Sequence, residues 1–521
     1  MKSKSFIPIL VPTLLLAFST AVRGDARLPA LFADNMVLQQ GVRVPIWGWA
    51  DEGEEVTVTF RGQTAKVKAH EGKWMVKLSR LKAGGPDDLI VQGKNKIELK
   101  NVLVGEVWIC SGQSNMEWPL DKAFEATSDV ESSANSMLRL CFVPKTKANL
   151  PMDDVKAQWK ECNPKTVPSF SAVAYYFGRD LQKALKVPVG LVETCWGGSP
   201  AEVWMSERVL SSNPDYKRDI LDTYDAAVKS AEATNTTPKV QRPGWKPTEL
   251  YNGMIAPLVP FAIKGAIWYQ GESNAGRAHQ YRTLFPDMIR NWRQDWNQGD
   301  FTFLTVQLAP FKAIKSEPAD SDWAELREAQ LLATKVLPKS GMVVITDVGE
   351  EKDIHPKKKA PVGGRLALAA RGIAYGEKIE YSGPVYKSIK VKDGQAIVTF
   401  DHTDGGLEAR GGELKGFSIC GSDHKFVWAK AEIQGNKVVV SCPEVNQPVA
   451  VRYGWADFPV VNLWNKADLP ATPFRTDDFP MITVPAKRNL VKSARFSPDG
   501  KQLVTMDSEG KARIWETAQG K

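Results

Sequence analysis

Histidine is scarce in this chain: there are five in 521 residues, at positions 70, 279, 355, 402 and 424. Any chemistry that needs an imidazole therefore has few places to reside. Cysteine is sparse too, and Cys110, Cys141, Cys162, Cys195, Cys420 and Cys442 include no C-x-x-C pair, which argues against a zinc site. No metal and no cofactor is expected. Long blocks of one charge are missing: 68 basic and 60 acidic residues are spread along the chain, which argues against a nucleic-acid partner. Past the N-terminus no apolar run is long enough to span a bilayer, so no membrane span is expected once the leader is removed.

What is present begins with that leader. Residues 1–24 read as a secretory signal, with Lys2 and Lys4 as the positive end, an apolar stretch over 6–17 and Val22, Arg23 and Gly24 at the cleavage end. A secreted or periplasmic protein is expected, in a compartment that permits disulfides. The length implies two or three domains. Over 25–101 short alternating runs such as Val56-Thr57-Val58-Thr59-Phe60 indicate a small β-sandwich domain, and similar runs over 377–480 indicate a second β domain. Between them, over 102–376, strand-like runs at 102–110, 189–194, 263–270, 301–308 and 342–347 alternate with helical segments. Val173, Phe177, Leu181 and Leu185 mark the first of these helices, and 281–296, 323–337 and 362–374 the others. The fold class expected is α/β, a mostly parallel sheet with helices on both faces, flanked by two small β domains.

Such sheets place their sites beyond the carboxyl ends of the strands. The first strand ends in Gly112-Gln113-Ser114-Asn115, the second in Trp196-Gly197-Gly198-Ser199, the third in Gln270-Gly271-Glu272-Ser273-Asn274, and the fifth leads to Asp353-Ile354-His355-Pro356. A hydroxyl, a glycine pair, an amide and an imidazole thus converge on one edge. Those are the parts of acyl transfer: an imidazole activates a serine, and fixed N–H donors hold the oxyanion. Ser114 is the expected nucleophile and His355 the base, with His279 in reserve. The Ser114 N–H, a backbone N–H of Gly197 or Gly198, and the Gln270 side-chain amide are the candidate oxyanion donors. Asp353 can hold the imidazole or cap the following helix; Glu272 braces its loop or meets substrate. Trp118 and Trp196 can stack on a sugar face, and Lys357, Lys358 and Lys359 read as a solvated basic run that could attract an acidic sugar.

These motifs also carry a resemblance. G-E-V-W-I-C-S-G-Q-S-N-M-E-W-P-L, W-G-G-S-P-A-E-V-W, W-Y-Q-G-E-S-N-A and D-I-H-P-K-K-K-A-P-V-G-G-R-L-A-L-A-A resemble the sialate O-acetylesterase family, within the SGNH hydrolase group. The likeness runs from about residue 31 to about residue 478, including M-V-L-Q-Q and V-R-Y-G-W-A-D. It implies a carboxylic ester hydrolase acting on O-acetylated carbohydrate, most specifically O-acetylated sialic acids, with Ser114 as nucleophile, His355 as base, and Ser114, Gly197, Gly198 and Gln270 as oxyanion donors. Acetylated xylan or another polysaccharide is the alternative substrate; a non-catalytic glycan-binding protein is the alternative of another class. Many relatives in the wider group carry D-x-x-H, whereas Lys352 stands at that acidic position here. Asp353 is therefore the third member of the triad, with Glu351 or a backbone carbonyl as substitutes. Residues 481–521 resemble a single WD40 repeat, on A-R-F-S-P-D-G-K, D-S-E-G and Ile514-Trp515. One repeat is too few to close a propeller.

Overall fold

The computed structural model describes residues 25–239, 244–479, 493–496, 502–506 and 512–516; the expected signal at 1–24 lies outside them. Its architecture is mixed α/β, with a central mixed sheet, helices and smaller β sheets around it. The strands that carry the site are β1 (Lys96–Gly112), β2 (Asn135–Phe142), β3 (Gln158–Cys162), β4 (Val189–Cys195), β5 (Gly265–Tyr269), β6 (Thr302–Val306) and β7 (Ser340–Val343). They lie in the order β7-β6-β5-β1-β4-β2-β3, with every pair parallel except β2–β3. β2 and β3 were not expected from the sequence pattern: Arg139, Lys160 and Glu161 interrupt their apolar alternation.

Burial follows the pleat. Val107, Ile109, Ala266, Trp268 and Phe303 point to one face, while Trp108, Cys110, Ile267, Tyr269, Leu304 and Val306 point to the other. The second face packs on α2 (Ala172–Leu185) and α5 (Ala360–Ile373), and the first on α3 (Ala278–Trp296) and α4 (Asp322–Val336), α1 being the short Ser114–Glu117 turn. Ser171 and Ser321 start α2 and α4 by accepting the N–H groups of Ala174 and Ala324. β1 is long enough to serve two sheets. Its first part pairs antiparallel with Gly84–Gln92 and parallel with Val37–Gln39, so the N-terminal strands and the central sheet form one eleven-stranded surface.

After α5, short antiparallel strands build a separate core around Val398, Phe417, Val440, Tyr453 and Phe474. It is tied back by Arg327 of α4, fully buried, whose guanidinium donates to the carbonyls of Leu308, Ala309, Ala456 and Asp457. In the tail Ser493–Phe496, Gln502–Met506 and Ala512–Glu516 pair as three antiparallel strands. All six cysteines are free thiols, five of them buried.

The register fixes where the site forms. Gly112 stands opposite Cys195 on one side and Tyr269 on the other, so the loops after β1, β4 and β5 leave the sheet side by side. Gly112 has φ +139°, and a Cβ there would sit 2.2 Å from the Tyr269 carbonyl oxygen. Only glycine lets β1 press this close to β5 before turning. Gly112→Ala is expected to cost about 2–5 kcal/mol, the sum of overpacking and a forbidden φ. A drop in melting temperature of several degrees checks this; an unchanged melting temperature contradicts the contact.

Candidate active site

The turn beyond β1 lifts Ser114 off the sheet edge. The Gln113 N–H donates to the Tyr269 carbonyl at 3.0 Å, and the Gln113 carbonyl accepts the N–H groups of Met116 and Glu117, which winds α1 with Ser114 at its first position. Gln113 Oε1 takes the Ser273 N–H at 3.3 Å, locking this turn to the one after β5.

His355 reaches the serine from the loop between β7 and α5. Its Nε2 lies 2.8 Å from Ser114 Oγ, inside hydrogen-bond range for a serine and its base. The Trp118 indole stacks on the imidazole, with ring centroids 5.4 Å apart and planes 22° apart. Trp118 therefore braces the histidine ring. Asp353 Oδ1 accepts the His355 backbone N–H at 2.9 Å and stands 3.6 Å from Nδ1, too far for a hydrogen bond but near enough to act through charge. Glu351 is turned away: its Oε1 accepts the Ile314 N–H and its carbonyl the Lys312 N–H. His279 is exposed on α3.

The candidate oxyanion donors divide. Gly197 lies against Ser114, since a Cβ there would meet Ser114 Cβ at 3.2 Å. Its N–H, however, donates to Glu117 Oε2 at 2.6 Å, and Glu117 also pairs with Lys145. Gly198 has φ +77° and is exposed beside it. Gln270 does not fit the role expected of it. It is fully buried, its Nε2 donates to Asn274 Oδ1 at 2.7 Å and the Ser199 carbonyl at 3.3 Å, and its Oε1 accepts the Tyr281 hydroxyl at 2.9 Å. Both amide hydrogens are used inside the protein, so Gln270 braces the W-G-G-S turn. Glu272 likewise departs from a substrate contact: it is buried and accepts Asn115 Nδ2 at 2.6 Å.

A family model described as carbohydrate esterase, sialic acid-specific acetylesterase, matches residues 104–371. Human sialate O-acetylesterase is 31% identical, the match covering 89% of this chain and 95% of the human protein. Mouse sialate O-acetylesterase is also 31% identical, over 85% of this chain and 93% of its own. The chain belongs to the sialate O-acetylesterase family. It is accordingly a carboxylic ester hydrolase, and the reading as a non-catalytic glycan-binding protein is set aside. Among solved structures, a carbohydrate acetylesterase from Xanthomonas citri is 42% identical with a TM-score of 0.79, covering 87% of this chain and all of that one.

Within this esterase, several residues shape the site in ways the motifs do not reveal. Asn115 bridges three segments, donating to Glu272 Oε1 and the Ile354 carbonyl and accepting from Lys359 Nζ. Glu117 is the partner of Gly197, and Tyr281 approaches Gln270 from α3. Lys359 corrects the expected solvated run: Lys357 and Lys358 are exposed, but Lys359 is 1% exposed. Trp245 packs edge-on against Trp196.

Charge around the dyad follows from this packing. Burial, reinforced by the nearby Lys359 ammonium, pushes the His355 imidazole below the usual histidine value despite Asp353 pulling the other way. In the free protein His355 should therefore titrate below about 6.5, read from its imidazole NMR signals. Titration at or above the usual value contradicts this packing.

Proposed function

We propose that this family member is a secreted serine esterase that removes O-acetyl groups from sugars, with O-acetylated sialic acids as its substrate, through an acetyl-enzyme on Ser114. We also assign it to the SGNH group, with a signal at 1–24, a β domain at 25–101, the esterase domain at 102–376, a second β domain at 377–480 and a WD40-like tail at 481–521. The observation that carries the mechanism is the 2.8 Å approach of His355 Nε2 to Ser114 Oγ at the edge of the sheet. The acidic partner is Asp353, acting on the imidazolium across 3.6 Å. Export is supported by the composition of the leader, and no helix among the described residues is long and apolar enough to cross a membrane.

The steps follow from the groups at hand. Ser114 Oγ attacks the acetyl carbonyl carbon while its proton passes to His355 Nε2. Negative charge collects on the carbonyl oxygen, where the Ser114 and Gly198 N–H groups hold it, joined by Gly197 once Glu117 swings aside. The imidazolium, steadied by Asp353, then gives its proton to the departing sugar oxygen as the ester bond breaks. A water molecule, deprotonated by the same imidazole, attacks the acetyl-enzyme; acetate leaves and Ser114 regains its proton.

The Xanthomonas citri relative is described by carbohydrate class alone, and acetylated xylan or another polysaccharide is the alternative substrate. A panel of acetylated sialic acid and acetylated xylan, compared by kcat/KM, separates the two. Preference for xylan overturns the sialate assignment and leaves the esterase mechanism standing. On p-nitrophenyl acetate, Ser114→Ala and His355→Ala should each lose on the order of 10³-fold or more in kcat. Asp353→Asn should lose less. Wild-type turnover by Ser114→Ala would refute the nucleophile.

A further inference from the structure

Lys359 is an ammonium carried into the interior without an ion pair among the described residues. Burial pushes its amine down to about 7, although Glu272, Asp353 and Glu350 pull the other way. Such a group is costly to keep unless its position does something. Its Nζ donates to Asn115 Oδ1 at 2.5 Å and lies 5.8 Å and 5.4 Å from the ring centres of Trp118 and Tyr269, so aromatic faces supply the rest of its surroundings.

The acceptor matters because of its neighbours in sequence. Asn115 follows Ser114 directly, and its amide nitrogen donates at 2.9 Å to the carbonyl of Ile354, the residue before His355. Ile354 and Lys359 thus grip the two ends of one amide from either side of the histidine. The nucleophile turn and the histidine loop are stapled together there, and Glu272 closes the staple from β5's loop at 2.6 Å. Trp118 adds a second link, touching both the imidazole and the lysine.

We propose that Lys359 is a positioning residue: through Asn115 it fixes the His355 imidazole against the Ser114 hydroxyl, and its positive charge keeps that imidazole in the basic form. This rests on the reading of Ser114 and His355 as nucleophile and base. The charged and titratable groups facing the imidazole are Asp353 from its own loop, Lys359 at the start of α5 and the Ser114 hydroxyl of α1. Those facing Lys359 are Glu272, Asp353, Glu350, Tyr269 and His355. Removing the ammonium relieves a repulsion on the imidazolium, so the histidine holds its proton to higher pH and the acid limb of kcat/KM moves up.

The test uses full-length Lys359→Met, which loses both bond and charge, and Lys359→Gln, which keeps a donor for Asn115 without the charge. Substrate is p-nitrophenyl acetate, with Ser114→Ala run alongside. Lys359→Met should lose about 10- to 100-fold in kcat with KM within about twofold of wild type. Lys359→Gln should recover part of kcat. Both should move the acid limb upward by roughly half a unit to one unit. Wild-type kcat in Lys359→Met, or an acid limb unmoved in Lys359→Gln, overturns the proposal. If Lys359→Met fails to fold, Lys359→Gln decides alone on its acid limb. Residual turnover by Ser114→Ala at the wild-type rate would instead indict the dyad, whatever the lysine variants do.

Discussion

A hydroxyl and an imidazole 241 residues apart in sequence meet at 2.8 Å, and a contact this short tolerates little error. Misplacement by about 1 Å can cost on the order of 100-fold in rate. Most of what is distinctive in the fold bears on that tolerance. Parallel pairing of β1 with β4 and β5 brings three loops out level. Gly112 lets β1 lie against β5 before it turns, and Gly197 lets the loop after β4 lie against the serine. The histidine loop has no such sheet register to define it, so side chains do that work: Asn115 binds it from the front and Trp118 stacks on it from the side.

The electrostatics have the same economy. The site holds charge in two sets: a partly exposed pair, Glu117 with Lys145, beside Gly197, and buried Glu272 and Lys359 with Asn115 behind the histidine. In the first set a carboxylate occupies the backbone N–H of the glycine that lies against the serine. In the second an ammonium opposes a second positive charge on the imidazole. The second set favours an uncharged base in the free protein.

Part of this arrangement was legible in the sequence because it sits at strand ends. Ser114, Gly197 and Gly198 stand just beyond apolar runs that identify buried strands, and His355 lies on the longer loop that follows β7. What failed to show itself depends on distant partners. Gln270 reads as an available amide until Tyr281 and Asn274 are seen to use it. Glu272 looks like a group for a sugar, yet it is buried and Asn115 claims it, and nothing in its motif shows that Trp118 packs on the imidazole. Lys359 is indistinguishable in sequence from Lys357 and Lys358; only the start of α5, which turns it inward under Trp118, separates them. β3 escaped notice because an edge strand tolerates the charges that break an alternating pattern, and β2, which lies between β4 and β3, because Arg139 interrupts its apolar run. The length of β1 was hidden because its first half alternates as a half-exposed strand and its second half is buried throughout.

The measurement that bears most directly on the centre of this structure is the covalent one. Wild-type protein mixed with p-nitrophenyl acetate, quenched in acid within the first turnovers and digested, should yield the peptide containing Ser114 with one added acetyl group, and Ser114→Ala should yield none. Burst release of p-nitrophenol should match the acetylated fraction. Steady hydrolysis with no acetyl on Ser114, or acetyl carried on another residue in step with turnover, would contradict a serine nucleophile activated by His355.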